Sequence, residues 1–149
     1  MKRLLPVLAL CFAIEAQAST CIVNFTTGTP EVMDAMKKNG WDFDNYHQVC
    51  TKLSKANASI LLTGTATVLG GTSIAWVSAY VKDANSSIVT TNTGGISTRQ
   101  NSHPSMDTAE NLLHVAVNQA MNEIDFDKAI ADLNAERRKA RAVAAPKSK

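Results

Sequence analysis

The spacing of hydrophobic residues changes several times along the chain, and each change predicts an element. Leu4 to Ile14 is an unbroken apolar run, preceded by Lys2 and Arg3 and followed by Ala16-Gln17-Ala18. That is the layout of a secretion signal. It has a positive start, an apolar core too short to span a bilayer, and small residues at −3 and −1 for a signal peptidase. It predicts a cleaved segment over residues 1–18 and a mature chain from Ser19. From Thr29 the spacing becomes helical. Thr29-Pro30-Glu31 offers a hydroxyl N-cap, a proline at the first helical position and an acid in the first turn. Asn39-Gly40 stops that helix, glycine suiting the left-handed position after a helix end. Asp42 or Asp44 is expected to cap a second helix, where Tyr46, Val49, Cys50, Leu53 and Ala56 share one face and Asn57 marks the end.

At Ala58 the period shortens to two. Thr63, Thr65 and Thr67 alternate with Leu62, Ala66 and Val68, as in a half-buried strand. Gly70-Gly71 reads as a two-residue hairpin turn. Thr72 to Lys82 follows as a second strand, with Ile74, Trp76 and Tyr80 on one face and Ala75, Val77, Ala79 and Val81 on the other. Apolar residues on both faces predict a central strand with Trp76 in the core. Asp83 to Ser86 makes a turn. A third strand is expected over Ser87 to Asn92, interrupted at Thr93-Gly94-Gly95 and resumed from Ile96 to Gln100.

Helical spacing returns after the loop Asn101 to Ser105. Asp107 is expected as the N-cap with Glu110 three positions on, and Ala109, Leu112, Leu113, Ala116, Val117, Ala120 and Ile124 form a wide apolar stripe. Asp125-Phe126-Asp127 can restart a helix, in which Ile130 and Leu133 offer most to bury. The class is therefore α+β: N-terminal helices, a three-stranded antiparallel β-meander, and a long C-terminal helix packed on the sheet. An open edge on such a sheet is compatible with a monomer or a strand-paired dimer.

Charge and cysteines sharpen this picture. Residues 19–136 hold 7 Lys and Arg against 12 Asp and Glu, whereas residues 137–149 hold 6 Lys and Arg and no acid. The chain thus reads as one acidic domain over 19–136 and a basic tail over 137–149, the tail expected to be disordered. Aromatics make up only 5% of the chain, leaving few platforms on which bases or sugars could stack. Cys11 leaves with the signal, so Cys21 and Cys50 remain as an even pair outside a reducing cytoplasm and are expected to form a disulfide. Lipidation of Cys21 is the competing reading. Thr20 is a poor residue before a lipidated cysteine, and Cys50 would be left without a partner.

Several clusters carry candidate chemistry. Asp42, Asp44 and His47 combine carboxylates and imidazole, but a zinc site needs three or four ligands and no fourth is evident. His103, Ser105 and Asp107 are the residue types of a hydrolase triad, crowded into five positions without a Gly-x-Ser-x-Gly turn. Trp41, Phe43 and Tyr46 serve either as an exposed anchor or as a cover for the sheet. Arg99, with Gln100 and Asn101, ends the strand region. Its fork of donors suits a carboxylate or phosphate on a partner, or an internal ion pair. The basic tail (Arg137, Arg138, Lys139, Arg141, Lys147 and Lys149) suits contact with an anionic surface. The secretory signal counts against nucleic acid as its partner.

No catalytic residue, metal site or cofactor is assigned. The sequence points to a periplasmic or secreted, non-enzymatic binding or accessory protein of the bacterial envelope, not transmembrane after signal cleavage. An inhibitor of an envelope or secreted enzyme is a narrower form of that reading. The partner is expected to be a protein, and Arg99, Asn101 and Trp41 are its expected contacts. The alternative is a small hydrolase or metal-dependent enzyme using His47 or His103.

Overall fold

The computed structural model describes residues 21–144. Eight elements follow one another: β1 (Phe25–Thr27), α1 (Pro30–Asn39), α2 (Tyr46–Lys55), β2 (Ala58–Leu69), β3 (Thr72–Asp83), β4 (Gly95–Asn101), α3 (Met106–Asn122) and α4 (Phe126–Ala144). The class is α+β, with four helices and one sheet in the order β1-β2-β3-β4. The sheet is mixed. β2, β3 and β4 form an antiparallel meander, and β1 adds parallel to β2 with Phe25 opposite Ile60. The expected three-stranded sheet therefore lacked one strand. At three residues, Phe-Thr-Thr is too short to show alternation, and its pairing depends on the α1–α2 crossover that returns the chain beside it.

The third antiparallel strand also differs. Ser87 to Asn92 makes only one isolated bridge, Lys82 to Val89, with the Thr90 amide and hydroxyl both donating to the Val81 carbonyl. The strand itself begins at Gly95. A Cβ on Gly95 would lie 1.8 Å from the Ala120 carbonyl oxygen, and one on Gly94 would lie 2.3 Å from the Tyr80 ring. These glycines bring β4 in beneath α3 and are not an interruption, because only residues without side chains pass between the helix and the ring.

The helix ends follow local chemistry. Gly40 ends α1 at φ 68°, and Gly70 and Gly71 turn the β2–β3 hairpin with φ of 58° and 76°, as a type I′ turn requires. Two expected caps move. Asn45, in the left-handed region, precedes α2 in place of Asp42 or Asp44. Ser105 caps α3 in place of Asp107, its Oγ accepting from the Thr108 amide. Asp125 Oδ1 accepts from the Lys128 amide and starts α4.

The helices pack on one side of the sheet. Ile60, Leu62 and Ala66 of β2 and Ala75, Val77, Ala79 and Val81 of β3 point into that layer, where they meet Leu113, Ala116, Val117 and Ala120 of α3 and Leu133 of α4. Cys21 and Cys50 lie at disulfide distance, with Cα atoms 5.9 Å apart. Their loop joins the first described residue to the buried face of α2. Residues 1–20, which include the expected signal and Cys11, lie outside the described residues, as do Lys147 and Lys149. Among the described residues, no helix is long and apolar enough to cross a membrane.

Candidate interaction surface

The side of the sheet away from the helices is open. Alternation along β3 turns Ile74, Trp76, Ser78 and Tyr80 toward it, and the hairpin register sets Thr67, Thr65 and Thr63 of β2 opposite Ile74, Trp76 and Ser78. β4 adds Ile96 and Thr98, paired with Ser78 and Trp76. Trp76 is 40% exposed and Ile96 60% exposed, while Ile74 and Tyr80 are half-buried. This corrects the placement of Trp76 in the core: β3 is central, but its second face carries no helix and is covered only where Gly94 lies against the Tyr80 ring, among the described residues. The surface is apolar and aromatic at its centre and rimmed by hydroxyls. Lys82 is the only charge that β2, β3 and β4 direct to this side.

β4 is one edge of the sheet; at the other, β1 covers only Ile60–Leu62 of β2. Gly95, Ser97, Arg99 and Asn101 pair with β3, so the backbone groups of Ile96, Thr98 and Gln100 point outward. The Ile96 amide donates to Glu123 Oε2 at 3.3 Å, from the turn after α3. Arg99 lies on the helix side of this edge, half-buried. Among the described residues it forms no ion pair, and its Nε is buried without a hydrogen-bond partner.

The other residues singled out in the sequence are spread over the molecule and mostly serve the backbone. Trp41 stacks edge-on between Phe25 and Phe43, and its indole N–H donates to the Val23 carbonyl. The Tyr46 hydroxyl donates to the Cys21 carbonyl and accepts from the Val23 amide. This aromatic cluster therefore clamps the segment leading into β1. The Asp42 and Asp44 amides donate to Asn118 Oδ1 and Asn122 Oδ1, one turn apart on α3, and His47 is exposed. Ser73 Oγ meets the carbonyls of His103 and Ser105, and Asn101 Oδ1 accepts from the His103 amide in a local turn. Among the described residues, no group of three or more His, Cys, Asp and Glu gathers as a metal ion would need. Compared with models of protein families, with curated proteins and with solved structures, the chain matches none.

The basic segment has a structure that its charge did not foretell. α4 runs past residue 137 to Ala144, so residues 137–144, expected to be disordered, are helical. Arg137 is turned inward. Its guanidinium pairs with Asp83 at the end of β3 and donates to the carbonyls of Ala56 and Asn57. Burial alone would raise the Asp83 pKa. The Asn85 amide, the Arg137 guanidinium and the Ser86 hydroxyl together outweigh burial and hold it below its ordinary value. Arg138 and Arg141 remain exposed beside this pair, lining a cleft of about 510 Å³ with Asn57 and Asn134.

Trp76 and Ile96 are the residues that sequence reasoning missed. The signal was present in the hairpin. A two-residue turn at Gly70-Gly71 fixes Thr65 opposite Trp76, so the polar threonines and the tryptophan must share one face.

Proposed function

We propose that the chain is a secreted or periplasmic, non-enzymatic binding protein of the cell envelope that recognises another protein through the open face of its sheet. The observation that carries this reading is Trp76. It stands partly exposed at the centre of an apolar, nearly uncharged surface built on the central strand. Aromatic side chains at the middle, few charges and a polar rim are the composition of protein–protein interfaces. The surface is also rigid, because each side chain stands on a paired strand and not on a loop. The address is supported by the expected signal over residues 1–18 and by the Cys21–Cys50 pair.

The test is quantitative binding to the protein that the tagged chain retains from the envelope fraction of its source cells, with Trp76→Ser beside the unaltered protein. Replacing a central aromatic anchor is expected to weaken binding by about tenfold or more in a chain that stays folded by circular dichroism, since Trp76 lies outside the helix-covered core. Equal binding by Trp76→Ser would overturn the assignment of this face. Loss of activity in a specific assay on changing His47 or His103, in a protein that stays folded, would favour the enzymatic alternative.

A further inference from the structure

We infer that the β4 edge is an interface with a second copy of this chain, the two β4 strands pairing antiparallel about a two-fold axis through Thr98. This surface is distinct from the open face of the sheet, and three observations converge on it.

The first is the backbone. Ile96, Thr98 and Gln100 turn their amides and carbonyls outward, and among the described residues only the Ile96 amide is occupied, by Glu123. An antiparallel copy centred on Thr98 sets Ile96 opposite Gln100 of the second copy and Thr98 opposite its own equivalent. That register makes about four backbone hydrogen bonds from free groups, and two more once each Ile96 amide exchanges Glu123 for the Gln100 carbonyl of the other copy, and it leaves the existing ladder to β3 intact.

The second is charge. Arg99 and Glu123 lie toward opposite ends of the same edge, on its helix side. A two-fold axis between them brings each Arg99 beside the Glu123 carboxylate of the other copy. Among the described residues, Arg99 is without an ion pair, and Glu123 is held only by one long hydrogen bond to a backbone amide. The pairing makes two equivalent ion pairs in a partly buried setting, and an unrelated strand with a different charge order would not reproduce it.

The third is the flank of α3 above this edge. α3 returns antiparallel to β4: Ser105 sits by Ser73, which pairs with Asn101, and Ala120 lies over Gly95. The middle of α3 therefore lies above Thr98. Leu112 and Val115 occupy that middle and turn away from α1, whose side of α3 carries His114 and Asn118. Leu112 is half-buried, and Val115 is 48% exposed without an apolar neighbour to cover it. α3 packs across β2, β3 and β4, and its C-terminal end lies directly over β4 at Gly95. Two such helices across a paired edge lie on the same side of the joined sheet, with the Leu112 and Val115 flanks facing each other. Leu112 and Val115 of the two copies then line one shared cleft above the paired edge.

Sedimentation equilibrium of the purified protein tests this. The unaltered chain is expected to reach twice the monomer mass within the micromolar range. Arg99→Glu and Glu123→Arg are each expected to raise the dissociation constant by about tenfold or more, and the double variant to restore it, since the swap rebuilds both ion pairs. Thr98→Pro removes only an outward amide and should leave a folded monomer. Circular dichroism of each variant separates lost association from lost folding. A chain that stays monomeric to about 100 μM overturns the proposal. So does a dimer indifferent to both charge reversals and to Thr98→Pro, or one that dissociates only on Trp76→Ser. The last result would move self-association to the open face.

Discussion

Asp83 and Arg137 meet with only 11% and 15% of their side chains exposed, and they join the end of the central strand to the second half of α4. The guanidinium also satisfies the Ala56 and Asn57 carbonyls, where the chain leaves α2 for β2. Removing it strands a buried carboxylate and two acceptors. Arg137→Ala is therefore expected to cost about 2–3 kcal/mol in chemical denaturation, near the lower end for breaking a buried pair. The pair also sets a pH dependence. The folded Asp83 pKa lies below its ordinary 3.8, so the contribution is complete above that value and is lost as pH falls through the folded pKa. The stability gap between the unaltered protein and Asp83→Asn should be constant at neutral pH and close in acid. A gap that widens on acidification would contradict this account. Residue type alone did not identify the pair. Arg137 opens a run of basic residues and reads as solvated, and its partner lies far away in sequence. Only the fold brings them together.

At the scale of elements, the glycines and asparagines decide how the layers fit. Gly95 lets the first residue of β4 pass under the Ala120 carbonyl. Gly95→Ala must push α3 away from β4. It is expected to lower stability by about 2–3 kcal/mol, in thermal or denaturant unfolding, as overpacking of a close contact does. Asn118 is the matching device on the other flank of α3. It accepts from the Asp42 amide and donates to the His114 carbonyl, so Asn118→Ala should cost about 1–2 kcal/mol and loosen the loop before α2. The Cys21–Cys50 pair closes a span of 29 residues. Its reduction is expected to cost roughly 3–4 kcal/mol on the chain-entropy account, measured by unfolding with and without a thiol reductant.

Much of this level was legible. α1 with its proline start and glycine stop, the β2–β3 hairpin and the apolar stripe of α3 all follow from local spacing. What escaped was non-local. β1 exists only through its pairing with β2, and β4 starts at its glycines because a helix and a tyrosine ring close in on either side. Among the expected site residues, Arg99 does lie on an exposed edge. Trp41 and Asn101 are engaged in holding the fold.

At the scale of the whole molecule, the described residues cover the sheet with helices on one side and leave open its other face, its β4 edge and the outer side of β2 beyond Leu62, where β1 ends. The face is broad and uncharged around Trp76, whereas the β4 edge is narrow and carries Arg99 and Glu123. They lie side by side, and pairing at the edge would join two open faces into one continuous surface. That surface is nearer the roughly 800 Å² per partner of a specific protein complex than one face alone. The direct test of the binding role is site-specific photocrosslinking in the source cells. A photoreactive residue is placed at Thr65 on the open face, with a second at exposed Lys37 on α1 as control. The account predicts one discrete crosslinked protein from position 65, lost on Trp76→Ser, and none from position 37. No adduct from position 65, or the same adduct from both positions, would contradict it.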